Sequence, residues 1–296
     1  MMTVAGSINM DLVARVPAIP APGQTVLGHH FARHHGGKGA NQAVAAARLG
    51  APVQFVGAVG RDAFGAELLA ELQPEGINTG AVQSVDEASG CALISVDDAG
   101  ENTIAVLPGA NLLAPLPPAQ WQAALLVLQL ELPQATCVAW AQAARERGVP
   151  VLLNAAPMAA LPAALLACVD TLVVNEGELH ALVGKRVDPQ ADALAAAATL
   201  GPQRVVVTLG EGGVRAWDHG RVITVPGHHV KVVDSTGAGD TFVGALAASL
   251  VQGLHFEAAL RRANVAAALS CQSPGARGGM PTLQALTHAQ AQAMRS

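Results

Sequence analysis

Tyrosine is absent from this 296-residue chain, and aromatic residues make up only 3% of it. Ring stacking is therefore a minor resource, and a planar ligand would sit mainly between aliphatic walls. Cysteine is scarce: Cys91, Cys137, Cys168 and Cys271 stand apart, with no CxxC spacing. That argues against a disulfide framework or structural zinc and for a reducing compartment, the cytoplasm. Charge is thin, at 13% of residues, with 22 acidic against 17 basic groups and a formal net charge of −5. No run of Lys or Arg occurs, so neither a nucleic acid nor a membrane surface is an expected partner. Mean hydropathy is positive, yet apolar stretches such as 123–130 and 243–251 fall far short of the ~20 residues that span a bilayer. Residues 1–6 carry no basic segment ahead of a long apolar one, and no signal peptide is expected.

Apolar residues are plentiful, at 51%, and a chain near this length hides about three quarters of its unfolded surface. A disordered chain is excluded. Short β-branched runs alternate with Ala-rich amphipathic stretches. The pattern predicts strands at 53–59, 124–130, 149–154, 171–174 and 204–209. It predicts helices at 133–147, 176–183 and 191–200, one capped by Asp62 and running through Leu72, and three more at 237–252, 256–271 and 283–294. Such alternation gives an α/β fold with a central, mostly parallel sheet flanked by helices.

Two regions depart from it. Residues 12–31 carry Pro17, Pro20, Pro22 and Gly23 in extended-looking sequence, and 90–107 reads as a hairpin around a turn at 97–100. Both are expected as antiparallel strands outside the parallel sheet, forming a flap over its edge. No repeat, linker or composition shift divides the chain. One domain spanning 1–296 is expected, with a small β-sheet lid from segments at about 12–34 and 90–107. The apolar lid positions Val13, Val16, Val26, Leu93, Ile94, Val96, Ile104 and Val106 have little core to cover. A homodimer through lid–lid contacts is the expectation.

The strongest local signal is Asp234-Ser235-Thr236-Gly237-Ala238-Gly239-Asp240-Thr241, leading into an apolar helical run. Glycines at a helix start leave backbone N–H groups free to face an anion, and the macrodipole adds positive charge there. A carboxylate beside such a cradle makes sense if it takes a proton from an attacking hydroxyl. An ordinary capped helix start explains the same residues.

A second constellation is His34-His35-Gly36-Gly37-Lys38-Gly39-Ala40-Asn41-Gln42-Ala43. Lys38 and Asn41 offer donors to sugar hydroxyls or phosphate oxygens. No Ser or Thr follows the lysine, so this is not a Walker loop, and Gln42 occupies the last glycine position of a dinucleotide fingerprint. A glycine turn opening a helix is the plain alternative. Third, Gly6-Ser7-Ile8-Asn9-Met10-Asp11 follows the first expected strand, at the end where open α/β sheets bind ligands. Asn9 and Asp11 suit a polyol, or a simple turn. Gln129-Leu130-Glu131, Asn175-Glu176-Gly177-Glu178 and Thr208-Leu209-Gly210-Glu211-Gly212-Gly213 mark three further strand ends. Glu131 alone reads as a solvated loop residue, and the last loop is compatible with a nucleotide. His29, His30, His34 and His35 invite a metal reading, but no HExxH or carboxylate at metal spacing accompanies them, and solvated lid residues are expected. No GxSxG elbow is present.

Taken in order, from Val4 to Pro281, these motifs resemble the ribokinase-like carbohydrate kinases. The matching residues include the opening Gly6–Asp11 motif, Gly36-Gly37-Lys38-Gly39-Ala40-Asn41-Gln42-Ala43, Gly109-Ala110-Asn111 and the Asp234–Thr241 signature. The resemblance implies an ATP-dependent kinase acting on the 5-hydroxyl of D-ribose. Asn9, Asp11, Gly37, Lys38, Asn41 and Glu131 would hold the sugar, and Asp240 would be the base. Gly237, Ala238 and Gly239 would cradle the transferred phosphoryl group. Asn175 and Glu178 would act near the phosphates and Mg²⁺, while Thr208, Gly210, Gly213, Gly239 and Asn264 would line the nucleotide site. Potassium would be held by Asp234, Thr236 and groups at Ser270, Ser273, Gly275 and Gly279. Three departures stand out: Asn154-Ala155-Ala156-Pro157 lacks one proline of the family pattern, 270–279 is divergent, and Asn264 replaces a common histidine. Other acceptors (2-deoxyribose, fructose, a nucleoside) and a catalytically silent sugar-binding protein are the rival readings. A nicotinamide dehydrogenase is disfavoured, because Asn9 and Asp11, not a Gly-rich helix start, follow the first strand.

Overall fold

The computed structural model describes residues 1–184 and 191–293. The end of the last expected helix, Met294, lies outside them. The strands are β1 (Met2–Ala5), β2 (Asn9–Arg15), β3 (His30–Gly36), β4 (Val53–Gly60), β5 (Asn78–Val85), β6 (Gly90–Val96), β7 (Asn102–Leu107), β8 (Leu126–Leu128), β9 (Val151–Asn154), β10 (Thr171–Asn175), β11 (Arg204–Thr208), β12 (Val214–Asp218) and β13 (Arg221–Val225). The helices are α1 (Lys38–Arg48), α2 (Ala63–Leu72), α3 (Gln134–Glu146), α4 (Ala163–Leu166), α5 (Glu176–Val183), α6 (Ala191–Ala198), α7 (Ala238–Val251), α8 (Phe256–Ser270) and α9 (Leu283–Ala293). Among the described residues no helix is long and apolar enough to cross a membrane.

The large sheet has the order β13-β12-β11-β10-β9-β8-β1-β4-β5. From β5 to β11 every pairing is parallel, and the β12–β13 hairpin closes one edge antiparallel. Alternate side chains of each strand point to opposite faces, and here both faces are buried. Val4, Val127, Leu152, Val173 and Val206 join one core with α1, α7 and α8. Ala5, Leu126, Leu128, Leu153, Val174 and Val207 join the other with α3, α5 and α6. Each fully buried Val or Leu contributes about 1.5–3 kcal/mol, which is why these strands read as unbroken apolar runs.

After β1 the chain returns to β4 on one side, and later to β8 on the other. The crevice beyond the carboxyl ends of β1 and β8 is therefore the topological switch point, where such sheets bind ligands. Over this end lies a second sheet, of order β3-β2-β6-β7. The expectation that its strands are all antiparallel is corrected: β2 and β6 pair in parallel. Both leave the carboxyl end of a parallel strand, β1 or β5, and so set out in the same direction. The small sheet also begins earlier and ends later than expected, at Asn9 and Gly36. The strand expected over 124–130 shortens to β8, because Leu130 already bonds to Ala156 in the turn beyond.

Local chemistry sets the element ends. Asp62 caps α2 by accepting from the Gly65 amide and also receives the Ser89 amide and hydroxyl. Helix α7 is apolar on nearly every face and is buried between α1 and α8. Gly244 permits that packing, since a Cβ there would lie 2.5 Å from the Gln42 carbonyl oxygen. This close approach brings the start of α1 beside the start of α7.

Candidate active site

Asp240 sits in the first turn of α7 and is buried. Its Oδ2 accepts from Asn41 Nδ2 at 3.0 Å and its Oδ1 from Gln42 Nε2 at 3.0 Å. Gln42 Nε2 also donates to Asn154 Oδ1, and Gln42 Oε1 accepts from Gln129 Nε2 at 2.7 Å. An ionised carboxylate only accepts, so it dictates the direction of the whole amide relay. The relay ends at Gln129 Oε1, the one buried side-chain polar atom without a hydrogen-bond partner among the described residues.

Gly237 precedes the helix with φ 76°, and a Cβ there would come within 2.6 Å of the Ala276 carbonyl oxygen. A side chain is excluded by conformation and by space. The amides that follow belong to the first turn, where helical donors lack partners within the helix. Gly237, Gly239 and Asp240 border a pocket of about 140 Å³ with Lys38, Asn175, Glu178 and Thr208. Asn175 and Glu178 also form a capping box at the start of α5, each side chain accepting from the other's amide at 2.8 Å. Burial pushes the Glu178 carboxyl up, against the pull of the Asn175 amide and Lys38.

Thr208 and Gly239 are shared with a neighbouring cleft of about 290 Å³. Its lining holds Gly210, Gly213 and Asn264, whose Nδ2 donates to the Pro226 carbonyl. The walls are largely aliphatic, as the composition suggests, but Phe242, His228 and His229 also line them. The two histidines follow β13, a strand that the sequence does not single out.

The residues expected to hold a sugar gather near Asp240, to which Asn41 is bonded. Asp11 lies over Gly36, so near that a Cβ there would sit 2.3 Å from Asp11 Oδ2. Its carboxylate accepts no hydrogen bond from the described residues. Burial pushes its pKa up to about 7, and Glu131 and Asp240 add to the rise while Arg277 opposes it. Glu131 is not the solvated loop residue that its isolated motif suggests. Its Oε2 accepts from the Ser7 hydroxyl and from the Lys38 amide at 3.0 Å, supplying the cap that Gly37 cannot give α1. Asn9 is buried, with Oδ1 accepting from Asn111 Nδ2 at 2.7 Å.

The segment 270–279 is strapped to the same neighbourhood. Cys271 carbonyl accepts from the Val233 and Asp234 amides. Asp234 Oδ2 accepts from the Gly275 amide, and Oδ1 from the Thr236 amide and hydroxyl. Burial raises the Asp234 carboxyl, but these donors outweigh it and hold it below its ordinary value. Gly279 packs on the Ser270 carbonyl, where a Cβ would meet the oxygen at 1.9 Å. Ser273 lies in the intervening turn.

Residues 1–283 match the family described as pfkB family carbohydrate kinase. This chain belongs to the pfkB family of carbohydrate kinases.

The carbohydrate kinase is 39% identical over 293 residues to the ribokinase of Haemophilus influenzae, covering 96% of each chain. It is 36% identical over 296 residues to the deoxyribokinase of Salmonella typhi, with the same coverage. Its fold matches that of Arabidopsis thaliana ribokinase complexed with ribose and ATP, with a TM-score of 0.90, 34% identity and 97% of both chains covered. Arg277 escapes a reading of local motifs altogether, while Gln129, Asn154 and Asn111 stand in motifs that do not disclose their hydrogen-bond partners. Each acts across a long sequence separation. Gln42 stands in the glycine-rich motif, but its place in the relay to Asp240 does not show there. His35 is a correction too: it bonds to Glu67 at 3.2 Å and lies 3.6 Å from Glu71 on α2, and so ties the small sheet to the body.

Proposed function

We propose that this kinase transfers the γ-phosphoryl group of ATP to the 5-hydroxyl of D-ribose. The observation that carries the reading is Asp240, fixed by two amide donors where the glycine cradle and the nucleotide cleft meet. Asp240 takes the proton as the hydroxyl oxygen forms its bond to the γ-phosphorus, and the bond to the bridging oxygen breaks to release ADP. The Gly237, Ala238 and Gly239 backbone faces the charge that spreads over the transferring group. Asp11, with no donor of its own, and Glu131, with one oxygen already engaged, accept sugar hydroxyls. Asn9, Gly37, Lys38 and Asn41 complete that end. Thr208, Gly210, Gly213 and Asn264 line the nucleotide.

Among the described residues no group of three or more His, Cys, Asp or Glu is arranged to hold a metal ion. Mg²⁺, bound with the nucleotide, would be held near Asn175 and Glu178 and would neutralise phosphate charge. Asp234, Thr236 and carbonyl groups of Ser270, Ser273, Gly275 and Gly279 are oxygen donors, as a potassium ion prefers. The close packing of Gly279 on Ser270 and the tie from Asp234 to Gly275 fit such a site. Bound there, the ion would steady the glycine loop.

The chain acts as one kinase domain whose four-stranded sheet is its lid, working in the cytoplasm, where its free cysteines stay reduced. Phe31, Leu93, Ile104, Val106 and Leu107 on that sheet are exposed, whereas Val16 is buried within the chain and leaves the expected contact set. Lid–lid contact would cover them and give a homodimer. Light scattering at micromolar concentration is expected to return twice the chain mass, and a monomer would refute the dimer. The acceptor is tested by ADP release over a panel of pentoses, hexoses and nucleosides, with and without potassium. D-ribose is expected to give the highest kcat/KM, and 2-deoxyribose is the comparison that the Salmonella relative makes necessary. A higher kcat/KM for any other acceptor would replace the assignment.

A further inference from the structure

Arg277 follows α8 by seven residues, yet its side chain reaches back to the sugar end of the pocket. Its Nε donates to Asn41 Oδ1 at 2.9 Å, and its Nη2 donates to the Gly36 carbonyl at 3.1 Å. Both partners touch the reacting machinery. Gly36 lies beneath the Asp11 carboxylate, and Asn41 donates to Asp240. A guanidinium can only donate and an ionised carboxylate can only accept, so the amide between them has a single favourable orientation. Without the guanidinium, Asn41 could turn over and present its oxygen to Asp240, which would repel it.

The backbone at 277 is anchored independently. Arg48 Nη1 donates to the Arg277 carbonyl at 2.6 Å, and Arg48 is itself held by both carboxylate oxygens of Glu75.

We propose that Arg277 is a positioning residue for phosphoryl transfer, locking the Asn41 amide toward Asp240 and holding the Gly36 backbone beneath Asp11. The 270–279 segment, which borders the glycine loop, is thereby tied to the sugar end of the same pocket. This inference rests on Asp240 being the base.

The test is a steady-state comparison of the full chain with Arg277→Met, Asn41→Leu and the double variant. Arg277→Met is expected to lower kcat by ~10- to 100-fold, the usual consequence of a misplaced catalytic group. The KM for ribose rises and the KM for ATP is unchanged. In the Asn41→Leu background the same change costs almost no further kcat, because the two act as one unit. Arg277→Lys, which keeps the charge and one donor, recovers most of the loss. Arg277→Ser, which lets water fill the space, carries the same expectation as Arg277→Met should the latter not fold. Unchanged kcat, losses that simply multiply in the double variant, or an equal rise in both KM values would overturn the proposal. Wild-type protein without ribose-dependent ADP release would instead bring down the reading of the site, and the inference with it.

Discussion

Asp240→Asn is expected to lower kcat by ~10²–10⁴-fold, the usual worth of a general base, while the KM for ribose changes little. The variant keeps the size and hydrogen-bonding shape of the side chain but cannot take up the proton. It also puts an NH₂ group against one of two donors, Asn41 Nδ2 or Gln42 Nε2. One buried bond is lost, at a cost of about 1–3 kcal/mol, so a lower Tm accompanies the slower turnover. Steady-state kinetics and calorimetry on the same preparation separate the two effects. A folded variant turning over near the wild-type rate would remove Asp240 from the chemistry.

Asp11 governs the second large effect, which is a pH dependence. Burial, and after it Glu131, push its pKa up to about 7. Its ionised form accepts hydroxyl hydrogen bonds, and its protonated form has lost part of that capacity. For ribose, kcat/KM is therefore expected to fall as pH drops below 7, approaching about tenfold per unit. Asp11→Asn should raise the KM by about 10²-fold, on the scale of charged hydrogen bonds, and remove this limb of the profile. Stability runs the opposite way. The native carboxyl holds its proton to near pH 7 while the unfolded chain releases it near the ordinary carboxylate value. The native state thus loses stability as pH rises through that window. The unliganded Asp11→Asn protein is expected to melt higher than the wild type at pH 8. A flat kcat/KM profile through pH 7, or a lower Tm for the variant, would show that Asp11 is already charged and well solvated.

The parts of this molecule legible in its sequence are those decided locally or by burial. Strands such as β11, with Val205, Val206 and Val207 at 0% exposure, are apolar on both faces and cannot be mistaken for solvent-facing ones. The capped start of α2 at Asp62 and the glycine entry to α7 are equally local. Strand β5 is less visible because it is an edge strand with polar residues such as Asn78, Gln83 and Ser84. The β12–β13 hairpin was legible in principle from the alternation at 214–225, but its turn uses His219 at φ 47° in place of the usual Asn-Gly signal. The parallel pairing of β2 with β6 depends on where β1 and β5 end in space, which no local pattern records.

The site divides along the same line. Motifs at strand and helix ends point to Asp11, Asn41, Thr208 and Asp240, because the carboxyl edge of a parallel sheet gathers them automatically. Their supporting groups come from far along the chain. Arg277 is separated from Asn41 by 236 positions, and Asn111 from Asn9 by 102. What each of them does comes from hydrogen-bond direction rather than residue type, so three-dimensional contacts are needed to assign the role even where, as at Asn111, the motif is visible. Glu131 shows how a bland reading fails: an apparently solvated acid caps a helix more than ninety residues away and leaves one oxygen open.

Identification of the product by phosphorus–proton correlation NMR, after incubation with ATP, Mg²⁺ and D-ribose, tests the account most directly. Asp240, the glycine cradle and the unpaired Asp11 together predict one phosphate ester, its phosphorus coupled to the C5 methylene protons and formed mole for mole with ADP. A phosphate on another carbon, or ADP formed equally fast without sugar, would contradict the account.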